Sequence, residues 1–200
     1  VRPADIQVGG NIYTYAGKAN SGAHSDTVTL YGGGDVTISG NINTRNRYNS
    51  TGGTALDESD VKIDHSGSLS VGNIVTRWSA TQDYYNGAHR AGDVTLYGGG
   101  AGGTCVAGSI NAGTANARRL NGGAIDISGY ASVEVGALSA DNDYNGTSFD
   151  GSAGSVNIDD IDGDITVTGT INLDHAKSGV SSGNLTLSCG GNIKVESALN

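Results

Sequence analysis

The sequence predicts an all-β parallel β-helix, a solenoid of about six turns of 29–33 residues with three short strands per turn. Three observations lead there. The first is a phrase of two apolar side chains around one small or polar residue. It returns six times, as Val28-Thr29-Leu30, Val61-Lys62-Ile63, Val94-Thr95-Leu96, Ile125-Asp126-Ile127, Val156-Asn157-Ile158 and Leu185-Thr186-Leu187. The second is its spacing of 33, 33, 31, 31 and 29 residues. A period near thirty built on strand-type alternation marks turns that cannot bury a core singly and must stack. The third is composition: 34 Gly, one Pro and no Met among 200 residues. Glycine belongs where short strands turn tightly onto the next face, and no stretch keeps the i, i+3, i+4, i+7 pattern of a long helix.

Taken in order, the turns divide into three apolar pairs each. The pairs are Val28/Leu30, Val36/Ile38 and Ile42/Thr44, and then Val61/Ile63, Leu69/Val71 and Ile74/Thr76. After Val94/Leu96 the regularity weakens, and Cys105 and Ala107 occupy the second pair. The pattern recovers as Ile125/Ile127, Val133/Val135 and Leu138/Ala140, and as Val156/Ile158, Ile165/Val167 and Ile171/Leu173. Paired residues face the interior and the residue between them faces solvent, as a pleat of period two requires. Residues 1–200 read as a single β-helix, a module or processed piece of a longer secreted protein or filament.

The formal charge is −9, from 20 acidic and 11 basic residues, with only Arg118-Arg119 adjacent. Nucleic acid is a poor partner for such a surface, since phosphate contacts need concentrated positive charge. No run of eighteen apolar residues and no charged-then-apolar leader is present, so the sequence as given carries neither a membrane span nor an export signal. Cys105 and Cys189 fall about three turns apart, roughly 14 Å at the usual strand spacing. That is too far for a disulfide.

The strands repeat, but the connection after the third strand of each turn does not. Arg45 to Asp60, Arg77 to Gly92, Gly113 to Gly123, Asp141 to Gly154 and Asp174 to Gly183 are long, polar and dissimilar. Insertions at one repeat position line one side of a solenoid, where function commonly resides. Trp78, Tyr84, Tyr85 and Asn86 offer aromatic faces and an amide for sugar rings. The Tyr-Asn theme of Tyr48-Asn49, Tyr84-Tyr85-Asn86 and Tyr144-Asn145-Gly146 serves equally to cover neighbouring backbone and to make left-handed turns.

Asp141, Asp143 and Asn145 before Gly146 match the first half of a calcium loop, but Ser152 stands where a bidentate Glu is required. An EF-hand is excluded, which leaves calcium held in a β-corner. Asp141, Asp143, Asp160 and Asp162 are the carboxylates a polysaccharide hydrolase or lyase would project into a groove. Gly98-Gly99-Gly100-Ala101-Gly102-Gly103 matches a dinucleotide-binding pattern, yet the strand-like Thr104-Cys105-Val106-Ala107 follows where a helix N-terminus is needed. His24, His65, His89 and His175 are isolated and form no metal-ligand pair. No catalytic residue is assigned.

Gly34-Asp35-Val36-Thr37-Ile38-Ser39-Gly40-Asn41-Ile42-Asn43-Thr44 and Gly163-Asp164-Ile165-Thr166-Val167-Thr168-Gly169-Thr170-Ile171-Asn172-Leu173 resemble repeats of filamentous haemagglutinin-like proteins. Those are large bacterial surface or exported adhesins. The resemblance is one of repeat style, and the turns here are longer than the roughly 20 residues associated with those repeats. It implies a right-handed parallel β-helix, a secreted or cell-surface location in a bacterium and a structural or adhesive role. Neither end reads as a cap: Ile6 and Val8 already alternate near the start, and Ile193 and Val195 still alternate near the end. Unpaired edges invite another chain, so the expected partner is a copy of the protein itself, stacked end to end. A glycan-binding module and a polysaccharide-active enzyme using the loop face stand as alternatives.

Overall fold

The computed structural model describes residues 4–14, 16–19, 27–48, 59–80, 89–100, 102–115, 120–143, 151–175 and 181–200. The chain coils as a parallel β-solenoid, and the six apolar phrases become the strands of one sheet. In stacking order these are Val28–Tyr31, Val61–Asp64, Val94–Tyr97, Ile125–Tyr130, Val156–Ile161 and Leu185–Cys189. This is the first sheet. The second holds Ile6–Val8, Val36–Ile38, Leu69–Val71, Thr104–Ala107, Ser132–Val135, Ile165–Val167 and Ile193–Val195. The third holds Ile12–Tyr13, Ile42–Asn43, Ile74–Val75, Ile110–Asn111, Leu138–Ser139 and Ile171–Asn172. Among the described residues there is no helix long and apolar enough to cross a membrane.

Register follows the repeat. Val28, Val61, Val94, Ile125, Val156 and Leu185 form one column. Cys105 takes its place between Leu69 and Val133 in the second sheet, as its spacing predicts. The inward columns meet in a continuous core that includes Ile38, Ile63, Leu96, Ile127, Ile158 and Ile165. Full burial of such a side chain contributes about 1.5–3 kcal/mol. Both cysteines are free; Cys105 is buried, and burial pushes its thiol pKa up to about 12, which leaves it unreactive.

Polar side chains tie one turn to the next at the corners. Asn11 Oδ1 accepts the Asn41 N–H at 2.7 Å, Asn41 Oδ1 accepts that of Asn73 at 2.7 Å, and Asn73 Oδ1 that of Ser109 at 2.8 Å. Asp5, Asp35 and Ser68 make a second such column, and Asp60 and Asp93 a third. The short Asx side chain suits this role because it reaches backbone directly and tolerates corner geometry. A corner amide that leaves the sheet ladder therefore still finds an acceptor.

Among the described residues three strands per turn hold through the middle of the coil, the last turn meeting the third sheet only by a bridge at Leu199, and the chain adds a fourth, shorter ladder after the third sheet. It consists of Ala16–Ala19, Asn46–Tyr48, Trp78–Ala80 and Thr114–Ala115, continued by single bridges through Asn142 to His175. His89–Arg90 and Leu120–Asn121 form a further pair. Segments of two to four residues such as Asn46-Arg47-Tyr48 have no apolar alternation, so periodicity did not mark them as strands.

Candidate functional site

The variable loops leave and rejoin the coil through fixed necks. Thr44 Oγ1 donates to the Ser59 carbonyl at 2.7 Å, and Thr76 Oγ1 to that of Gly92 at 2.5 Å. In later turns the rejoining amide donates instead: Gly123 to the Ala112 carbonyl at 2.7 Å, Gly154 to Ala140 at 2.7 Å and Gly183 to Leu173 at 2.9 Å. The neck closes each loop independently of its length, so the coil tolerates loops that differ from turn to turn.

Trp78, proposed from sequence as a sugar platform, is only 2% exposed. It lies in the fourth ladder between Asn46 and Thr114. Stacking on a sugar would require the ring to leave this position. Tyr84, Tyr85 and Asn86 lie outside the described residues, as does Asn145 of the calcium set.

Asp141 and Asp143 lie beyond the third sheet, in a cleft of about 390 Å³ shared with Asn142, Asn172, Asp174 and Asn200. Asp141 is buried and accepts the Ser139 hydroxyl at 2.6 Å. Burial raises its pKa and nearby Asp143 adds to the rise, against the Ser139 hydrogen bond and the Arg77 charge. Asp143 is exposed and pairs with Arg77 at 2.5 Å. Among the described residues no three His, Cys, Asp or Glu side chains are grouped so as to hold a metal ion. Asp160 and Asp162 are exposed at the corner between the first and second sheets. The four carboxylates thus occupy two different corners. Thr104–Ala107 is a strand, so the glycine run before it serves a corner; Gly99, Gly100 and Gly102 there have φ of 65°, 69° and 78°.

The two ends of the coil are built differently from its middle. In internal turns the inward pairs of the second sheet, such as Val36/Ile38 and Ile165/Val167, are enclosed. In the last turn Ile193 is 49% exposed, Val195 37% and Leu199 62%. At the other end Ile6, Val8 and Ile12 are only partly covered. Ile6–Val8 pairs on one edge, with Val36–Ile38, and Ile193–Val195 on one edge, with Ile165–Val167. Among the described residues, each end therefore presents a strand edge with no pairing partner together with apolar side chains.

One contact was invisible in the sequence. His65 and Tyr130, 65 residues apart, are hydrogen-bonded in the interior. Tyr130 turns inward because Gly129, with φ of 75°, breaks the alternation of its strand, and the next turn copies this with Asp160 at φ 53°. The spacing from Ile127 to Val133 equals that from Ile63 to Leu69, so corner length gives no sequence signal of the contact. No protein-family model, no curated protein and no solved structure matches the chain.

Proposed function

We propose that this chain is a segment of an extracellular structural or adhesive rod, extended end to end by copies of itself or by further turns of a longer chain. The observation that carries this reading is the contrast between the enclosed internal turns and the open terminal ones. An edge strand flanked by exposed Ile193, Val195 and Leu199 is a template for another parallel strand. The opposite end supplies a matching surface in Ile6–Val8, and joining unlike ends generates an open filament rather than a closed ring. The repeat style shared with filamentous haemagglutinin-like proteins supports a bacterial surface or secreted setting.

The corner columns suggest the register of the joint. Asp164 Oδ1 accepts the Asn192 N–H at 2.7 Å, and Asp5 Oδ1 accepts that of Asp35 at 3.0 Å. By the same rule Asn192 Oδ1 would accept the Asp5 N–H of the following copy, setting Ile193 beside Ile6 and Val195 beside Val8. Among the described residues the second sheet counts seven strands and the first six. A copy seated on Ile193–Val195 therefore leaves one rung of the first sheet to a strand from outside the described residues.

Negative-stain microscopy at rising protein concentration tests the reading. Rods are expected, and they should lengthen with added salt, because copies carrying −9 each repel one another until screened. Monodisperse particles at every concentration and salt level would sink the self-stacking form.

A further inference from the structure

His65 and Tyr130 meet inside the corner between the first and second sheets, two turns apart. Tyr130 Oη lies 2.9 Å from His65 Nε2, and the ring centroids are 5.6 Å apart with the planes at 49°. Both side chains are enclosed. The turn between them makes room with Gly98, where a Cβ would stand 2.6 Å from Tyr130 Cδ1. On its other side His65 Nδ1 lies 3.3 Å from the Gly34 carbonyl oxygen.

These partners settle the protonation. A carbonyl oxygen only accepts, so Nδ1 carries the hydrogen, and Nε2 accepts the Tyr130 O–H. The neutral imidazole is satisfied at both nitrogens. A second proton on Nε2 would reverse that bond, take away the acceptor of the Tyr130 O–H and place a charge in an enclosed site.

We infer that this pair is an acid-released latch: neutral His65 accepts the Tyr130 O–H across the Gly98 turn, and protonation of His65 removes that acceptor, buries a charge and loosens the corner. The groups facing the imidazole are Tyr130, Asp64 on the strand before it and Asp35 at the corner of the preceding turn, and the Cys105 thiol of the second sheet faces Tyr130. The two carboxylates favour the charged ring, but both ring nitrogens are taken up by uncharged partners. Burial outweighs the Gly34 hydrogen bond and both carboxylates and holds the His65 pKa below its ordinary value. Burial also raises the pKa of Cys105 and Tyr130, so neither supplies an anion.

The sign of the pH dependence follows. Folded His65 binds a proton less readily than unfolded His65, so its contribution is complete above about 6.5. It is lost as the pH falls from there toward the lower folded value. Asp126 and Asp141 have raised pKa values, chiefly from burial, so they take up protons in the folded state and act in the opposite sense. The latch must therefore be read as a difference between proteins.

Thermal unfolding of the wild type and of His65→Gln at pH 7.5 and 5.5 supplies it. The wild-type midpoint is expected to fall by about 2–4 °C more than that of the variant. Equal falls would overturn the latch. Should the variant not fold, imidazole carbon NMR of the wild type is expected to give a His65 midpoint below 6.5, with the Tyr130 ring shifting in step. A midpoint at or above 6.5, or a silent Tyr130, would overturn it equally. Tyr130→Phe removes only the Oη–H that supports the neutral ring, so the His65 midpoint should rise; an unmoved midpoint contradicts the assigned tautomer.

Discussion

Gly154→Ala is expected to lower stability by about 3 kcal/mol, measured as a shift in the urea unfolding midpoint. Gly154 closes a loop neck by donating to the Ala140 carbonyl at 2.7 Å, and a Cβ there would run into the carbonyl oxygen of Gly123 on the preceding turn. Gly123 is itself fixed by its hydrogen bond to Ala112, and Gly183 approaches Gly154 in the same way from the following turn. Backbone meets backbone on both sides. The methyl fits only if adjacent turns separate beyond the roughly 4.8 Å of a strand ladder. Gly10→Ala is the control, since a Cβ there meets nothing within 4 Å, and its change should stay within about 0.5 kcal/mol. Equal effects at the two positions would refute the packed-neck account.

Ile127→Ala is the second large effect, at about 2–5 kcal/mol. Ile127 is enclosed between Leu96 and Ile158 in the central columns. Removing three carbons there leaves a cavity that the rigid ladder above and below cannot close. Val195→Ala makes a related deletion in the last turn, where the side chain is 37% exposed. At low protein concentration it should cost about 1 kcal/mol or less. In stacked rods Val195 is covered by the next turn, so the cost should grow as concentration rises. A Val195→Ala cost that equals that of Ile127→Ala in the dilute protein would mean that the end of the coil is already covered.

The coil was legible because its signal is redundant. Each inward pair, from Val28/Leu30 to Ile171/Leu173, appears about thirty residues from the same pair one turn away, and alternation on a pleat leaves one way to face them. Even the irregular Cys105/Ala107 pair was placed correctly by its neighbours. Loop ends were legible for a different reason: Gly92, Gly123, Gly154 and Gly183 are required by close backbone approach, and glycine marks such places in the sequence. What escaped was decided across turns rather than along the chain. The fourth ladder has no apolar period, Trp78 is drawn inward by its ladder position beside Thr114, and the His65–Tyr130 contact depends on one left-handed residue, Gly129, two turns away. A solenoid makes neighbours of residues about thirty apart, and a pair of unlike residues two turns apart has no periodic signature.

The central claim is that the two ends of the coil are complementary and join head to tail. Gln7→Cys combined with Lys194→Cys tests it most directly. Gln7 and Lys194 are the outward residues between Ile6 and Val8 and between Ile193 and Val195. In the proposed register they stand one rung apart, about 4.8 Å, within reach of a disulfide. Within one molecule they are six rungs apart, about 29 Å, so they can join only different molecules. With the half-buried native thiol removed as Cys189→Ser, mild oxidation of the double variant should give a ladder of covalent oligomers on a non-reducing gel, while each single variant stays at or below the dimer. Oxidation that leaves the double variant monomeric, with both new thiols open to alkylation, would contradict the account.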